Sequence, residues 1–243
     1  MVGIRLRKIL PNLFTLGNLL CGFLAIINVV EGTKANLVHA AWWIVIAGVF
    51  DLLDGKVARL MRSASPFGVE LDSLADIVSF GVAPAVLINS FVFLNAGNLG
   101  YFLCFCFLSA GAIRLARFNT TATTVKKRHF TGMPIPAGAC IISSYVMFSE
   151  NVWTGLANFD IAIALVIFSS LAMVSKFKYA AFPLISFAGK LKTVKSLLTI
   201  SVLLLIVAFP NELFFPAGIL YLLSGPVGFI SVPAFNYVFR KEL

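Results

Sequence analysis

Residues 50–81 read "FDLLDGKVARLMRSASPFGVELDSLADIVSFG", and this stretch holds four of the chain's five aspartates, Asp51, Asp54, Asp72 and Asp76. The surrounding sequence is almost uniformly apolar. Of 243 residues, 60% are hydrophobic and 12% charged, with a mean hydropathy of +0.97. An ordinary soluble domain is about half apolar and a quarter charged, so the composition places the chain in a membrane. A carboxylate there is costly unless it is paired, hydrated or bound to a cation. The purpose of the aspartate cluster is therefore the first question the sequence poses.

Working outward, a hydrocarbon core ~30 Å thick needs about 20 apolar residues per helical crossing. Eight stretches qualify, near 12–30, 37–60, 69–94, 98–118, 133–149, 160–175, 196–209 and 213–238. The seventh is short and the eighth is interrupted by "SGPVG" and Pro233. The expected architecture is an all-α polytopic membrane protein forming a single integral membrane domain, 1–243. Residues 1–175 make a six-span core and residues 176–243 a C-terminal two-helix extension, eight spans in all. "RLRK" before the first span is a short basic interfacial segment rather than part of a signal peptide, because no small-x-small cleavage site follows the apolar run.

Lys and Arg accumulate on the cytoplasmic side of membrane helices. Threading the chain with both termini inside puts 18 of its 19 Lys and Arg on that face and leaves only Lys34 outside. The expected location is the cytoplasmic membrane, with the aspartates near the cytoplasmic surface. The net charge of +9 then needs no nucleic acid to explain it, and a basic inner face suits anionic lipids and phosphate-bearing substrates. The four cysteines all fall inside expected spans without a CxxC pair and read as small buried hydrophobes.

Helical spacing of three and four puts Asp51, Asp54, Gly55 and Ala58 on one stripe, with Arg59 at its edge. Gly68, Asp72 and Asp76 form a second stripe, from which Glu70 points away. The connection "MRSASPF" supplies turn residues, so an antiparallel hairpin brings the two stripes together. Four carboxylates near one Arg cannot all be paired by protein. An all-oxygen donor set points to two divalent cations, Mg²⁺ or Mn²⁺, and to displacement at phosphorus. The small residues on the stripes admit two readings, close helix packing or room for a flat nucleotide.

The spacing D-x-x-D-G-x-x-A-R, then eight residues, then G-x-x-x-D-x-x-x-D spans 26 residues and is complete here, in Asp51, Asp54, Gly55, Ala58, Arg59, Gly68, Asp72 and Asp76. It resembles the signature of the CDP-alcohol phosphatidyltransferase family, and the six-span core resembles the family around it. The resemblance implies that a small alcohol attacks the β-phosphorus of CDP-diacylglycerol and that CMP leaves. It implies that Asp51, Asp54, Asp72 and Asp76 hold two metals and that Asp76 is also the catalytic base. Gly55, Ala58 and Gly68 would make room for the cytidine, and Arg59 would sit near the diphosphate. It also implies a homodimer.

Two further stretches resemble the serine-using branch of that family. In "LPNLFTLGNLLCGFLAI", Asn12, Thr15 and Asn18 lie on one helix stripe, expected at the CDP-lipid. In "GAIRLARFN", followed by "FTGMPIPAGA", Arg114 and Arg117 share a face with Asn119 just beyond. Those three residues are expected to bind the acceptor or a phosphate, a guanidinium taking a carboxylate bidentately, or else to snorkel to the interface. The expected acceptor is L-serine. Glycerol 3-phosphate, inositol or inositol phosphate are the alternatives of the same chemistry. A cation-coupled transporter would also keep carboxylates in its spans, without needing Gly, Ala and Arg at these offsets.

Overall fold

A computed structural model of the protein describes residues 2–61, 65–121, 129–154, 157–180, 201 and 204–239. Its long elements are α1 (Val2–Glu31), α2 (Lys34–Met61), α3 (Pro66–Phe93), α4 (Asn98–Thr121), α5 (Ile135–Asn151), α6 (Phe159–Val174) and α7 (Pro210–Phe239). Stretches within α1, α2, α3, α4 and α7 are long and apolar enough to cross a membrane, and α6 is a shorter apolar helix. The chain is thus an all-α integral membrane protein. Each of the first six expected spans coincides with one of the helices α1 to α6. Half of the seventh, 196–209, lies outside the described residues.

Three details depart from the sequence reading. First, α1 begins at Val2 and carries Pro11 within it, so "RLRK" belongs to the same helix as the first span. Second, α7 continues through Pro226 and Pro233, where the sequence predicts a break. Proline is tolerated in buried membrane helices because neighbours re-satisfy the backbone groups it frees. Third, two three-residue strands, β1 (His129–Thr131) and β2 (Lys178–Ala180), pair antiparallel with Phe130 opposite Tyr179. They tie the segment entering α5 to the segment leaving α6. Gly132 follows β1 at φ +80°, and a side chain there would collide with the Met173 backbone carbonyl, so only glycine closes this crossing.

The antiparallel pair α1–α2 forms one side of the bundle, and α3 packs against α1. Small residues set the distances: Ala25, Ala40, Ala41 and Ala47 are fully buried. At Gly22 the approach is closest, since a Cβ would lie 2.7 Å from the Ser79 Cα. This contact lets the Ser79 hydroxyl donate to the Asn18 backbone carbonyl at 2.9 Å. Ser79 can reach there because α3 widens into a π-helical turn at Ile77–Val82, immediately after Asp76, with the Ala83 N–H bonded back to the Val78 carbonyl. The start of α3 is set locally: the Ser65 hydroxyl accepts the Gly68 N–H at 3.1 Å as N-cap and Pro66 occupies the first turn. That start fixes the register of Asp72 and Asp76.

Candidate active site and metal centre

All four motif aspartates converge at one end of the bundle. Asp51 and Asp54 come from the last turns of α2, and Asp72 and Asp76 from the first turns of α3. Carboxylate oxygens of Asp51, Asp72 and Asp76 lie within 4.8 Å of one another. Asp54 adjoins the triple, within electrostatic reach of Asp72 and Asp51. Asp54 and Asp76 are buried, while Asp51 and Asp72 are half-buried.

Residues of α1 support this cluster from behind. Thr15 Oγ1 donates to Asp54 Oδ2 at 3.1 Å, and Asn18 Nδ2 donates to Asp76 Oδ1 at 3.2 Å. Both side chains are buried, Asn18 completely. These two residues, expected from the sequence at the CDP-lipid, hydrogen-bond the site carboxylates directly. Asn12 lies beside Gly68, where a methyl group would come 3.4 Å from Asn12 Oδ1. Beside Gly55 there is open space, since a methyl there would meet nothing nearer than Arg59 Nη2 at 4.0 Å. Ala58 is half-buried and Arg59 exposed on the same side of α2.

The α4 residues divide. Arg114 turns inward, within electrostatic reach of Asp76 and Asp51, with the Phe118 ring centroid 5.9 Å from its guanidinium carbon. Arg117 is exposed and its Nη1 donates to the Val174 carbonyl at 2.8 Å, so it joins the end of α4 to the end of α6. Asn119 Nδ2 donates to Ser73 Oγ at 2.8 Å, holding α4 against α3 beside Asp72. Ser73 and Ser79 are additions that the motif itself does not include. Both stand within three residues of a motif aspartate, which is the signal the sequence carries for them.

This arrangement suits a hard cation. Two ionised carboxylates ~4–5 Å apart repel by roughly 3–4 kcal/mol at an effective dielectric of about 20, and the cluster contains several such pairs. One arginine does not neutralise it. Moreover, Asp72 Oδ1 is buried with no hydrogen-bond partner among the described residues, an orphaned acceptor on a carboxylate of the cluster. A divalent ion held by Asp51, Asp72 and Asp76 would satisfy both demands with oxygen donors alone.

The profile of CDP-alcohol phosphatidyltransferases matches residues 8–174, well over half of the chain. The chain belongs to the CDP-alcohol phosphatidyltransferase family. Among its relatives is the CDP-diacylglycerol–serine O-phosphatidyltransferase of Helicobacter pylori strain 26695, 35% identical over 182 residues, which cover 74% of this chain and 76% of that protein. The enzyme of the same name from Methanocaldococcus jannaschii is 38% identical over 162 residues, 66% of this chain and 73% of that one. An archaetidylserine synthase from Methanothermobacter thermautotrophicus is 36% identical over 168 residues, 67% of this chain and 68% of that one. Membership in a CDP-alcohol phosphatidyltransferase family accounts for the Gly, Ala and Arg between the carboxylates, which the transporter alternative leaves unexplained.

Proposed function

We propose that the chain transfers the phosphatidyl group of CDP-diacylglycerol to the hydroxyl of L-serine, giving phosphatidylserine and CMP. The observation that carries the chemistry is the convergence of Asp51, Asp72 and Asp76 within 4.8 Å, with Asp54 adjoining. Serine as the acceptor is supported by the relatives, each of the three named for a serine-containing product or substrate. It is supported also by Arg114, a guanidinium facing the carboxylates, which suits the carboxylate of an amino-acid acceptor.

In this reading Asp51, Asp54, Asp72 and Asp76 hold two divalent cations, Mg²⁺ or Mn²⁺. Bound there, the ions supply charge neutralisation for the diphosphate and for the departing CMP. Asn18 fixes Asp76 through Oδ1, leaving Oδ2 to take the serine hydroxyl proton as the new O–P bond forms and the P–O bond to CMP breaks. Thr15 keeps Asp54 from swinging away in the same manner. The open side of Gly55 and the close packing at Gly68 shape a slot for the cytidine, with Ala58 and Asn12 at its walls and Arg59 beside the diphosphate. Arg117 and Asn119 act on the acceptor indirectly, by fixing the end of α4 that carries Arg114.

The site opens on the cytoplasmic face of the cell membrane, a reading supported by the distribution of basic residues. The protein works as a homodimer; a monomeric mass in both mild detergent and nanodiscs, with activity retained, would contradict that. The acceptor is tested by supplying purified protein with CDP-diacylglycerol and, separately, serine, glycerol 3-phosphate, inositol or inositol phosphate. Serine should give the fastest CMP release. Release with another alcohol and none with serine would keep the chemistry and remove the acceptor.

A further inference from the structure

A serine within a helix commonly donates its hydroxyl to a carbonyl of the preceding turn. Ser73, Ser144 and Ser170 do so, each bonding a carbonyl three or four residues back. Ser79 behaves otherwise. Its hydroxyl leaves α3 and donates to the Asn18 carbonyl of α1 at 2.9 Å, 61 residues away in the chain. Two features of the backbone permit this crossing. Ser79 lies in the π-helical turn Ile77–Val82, which is wider than the α-helix preceding it. Opposite it stands Gly22, one turn beyond Asn18, where a Cβ would come 2.7 Å from the Ser79 Cα and 2.9 Å from its Cβ. Any side chain at position 22 would therefore push Ser79 off the Asn18 carbonyl.

The residue gripped in this way is the one whose side chain holds Asp76, since Asn18 Nδ2 donates to Asp76 Oδ1 at 3.2 Å. The two bonds close a ring between α1 and α3. It runs from Asp76 along α3 to Ser79, across to the Asn18 backbone, and out through the Asn18 amide back to Asp76. Every member is buried, Asn18 and Ser79 completely, so both bonds lie in a low dielectric where they are strong. Asn18 Oδ1 has no hydrogen-bond partner among the described residues. The position of the amide at Asp76 is therefore set by the main chain that carries it. On α2 the neighbouring Gly17 receives the Phe50 ring, where a Cβ would come 2.8 Å from Phe50 Cδ1, and this seats α1 beside Asp51. Ser79 is the corresponding anchor on α3. Resting on the reading of Asp76 as base, we infer that Ser79 is a positioning residue for the reaction. It fixes the Asn18 backbone so that the Asn18 amide holds Asp76 Oδ1 and turns Oδ2 toward the acceptor hydroxyl.

Ser79→Ala tests this in the full-length protein, since it removes the hydroxyl and keeps the Cβ that sits beside Gly22. Turnover is expressed per CDP-diacylglycerol site titrated in the presence of Mn²⁺, which removes any loss of folded protein from the comparison. The kcat should fall about tenfold, short of the ~10²-fold that a 1 Å misplacement costs, while the KM for serine and for CDP-diacylglycerol stay within about twofold of wild type. The deciding comparison is made in an Asn18→Ala background, where Ser79 has no amide left to position and Ser79→Ala should change kcat by less than about twofold. Asn18→Ser supplies a second background should Asn18→Ala bind no nucleotide. A role in packing alone would give the same fold loss with and without the Asn18 amide. An unchanged kcat in Ser79→Ala, an equal loss in both backgrounds, or a loss confined to KM would each overturn the inference. If Asp76→Asn turns over at near the wild-type rate, the base reading fails and the inference with it. Release of CMP with another alcohol and never with serine removes the acceptor alone, and kcat with that alcohol then decides the same comparison.

Discussion

Replacing Asp76 with Asn is expected to lower kcat at least ~10²-fold while CDP-diacylglycerol still binds in the presence of metal. A serine hydroxyl is a poor nucleophile at neutral pH, and a positioned base that takes its proton as the bond to phosphorus forms contributes ~10²–10⁴ in rate. Of the four aspartates, Asp76 is the best placed to act as that base. It is buried, it belongs to the carboxylate triple, and Asn18 holds one of its oxygens at 3.2 Å. Asparagine preserves its shape and an oxygen atom and removes its basicity. Turnover and equilibrium binding of the lipid nucleotide, measured on the same preparation, separate the two roles. Near wild-type turnover would move the base elsewhere, to Asp72 first.

Removing divalent metal should abolish activity altogether. After treatment with EDTA the purified protein should release no CMP, and Mg²⁺ or Mn²⁺ should restore release. The cause is electrostatic: without a cation the Asp51, Asp72 and Asp76 oxygens, all within 4.8 Å, repel both one another and the incoming diphosphate. Asp51→Asn should therefore differ in kind from Asp76→Asn. It removes one negative charge from the cation site, and metal-dependent binding of the nucleotide should weaken along with turnover. Full activity after rigorous chelation would exclude the metal-assisted reading.

Much of this arrangement is written in local spacing. Offsets of three and four along Asp51–Ala58 and Gly68–Asp76 set which residues share a face, and the N-cap at Ser65 with Pro66 fixes where the second face begins. What spacing does not specify is which neighbouring helix a face meets. Spacing puts Thr15 and Asn18 on one stripe of α1, and only the packing of α1 against α2 and α3 shows that this stripe meets the carboxylates of Asp54 and Asp76. Arg114 and Arg117 show the same limit. Three residues apart on a helix they are rotated by about 60°, enough to send one to the aspartates and the other to the Val174 carbonyl. The β1–β2 ribbon has only three residues per strand, too few for alternation to register against an apolar background. The proline positions in α7 mislead because the helix-breaking rule is weaker for membrane helices than for helices in water.

In the proposed reaction a serine hydroxyl displaces CMP at the phosphorus of CDP-diacylglycerol. Purified protein supplied with CDP-diacylglycerol, Mn²⁺ and serine carrying ¹⁸O in its side-chain hydroxyl tests it in one mass-spectrometric measurement. Phosphatidylserine and CMP should form in equal amounts, with the label retained in the lipid and absent from CMP. CMP formed without phosphatidylserine, or phosphatidylserine that has lost the label, would contradict it.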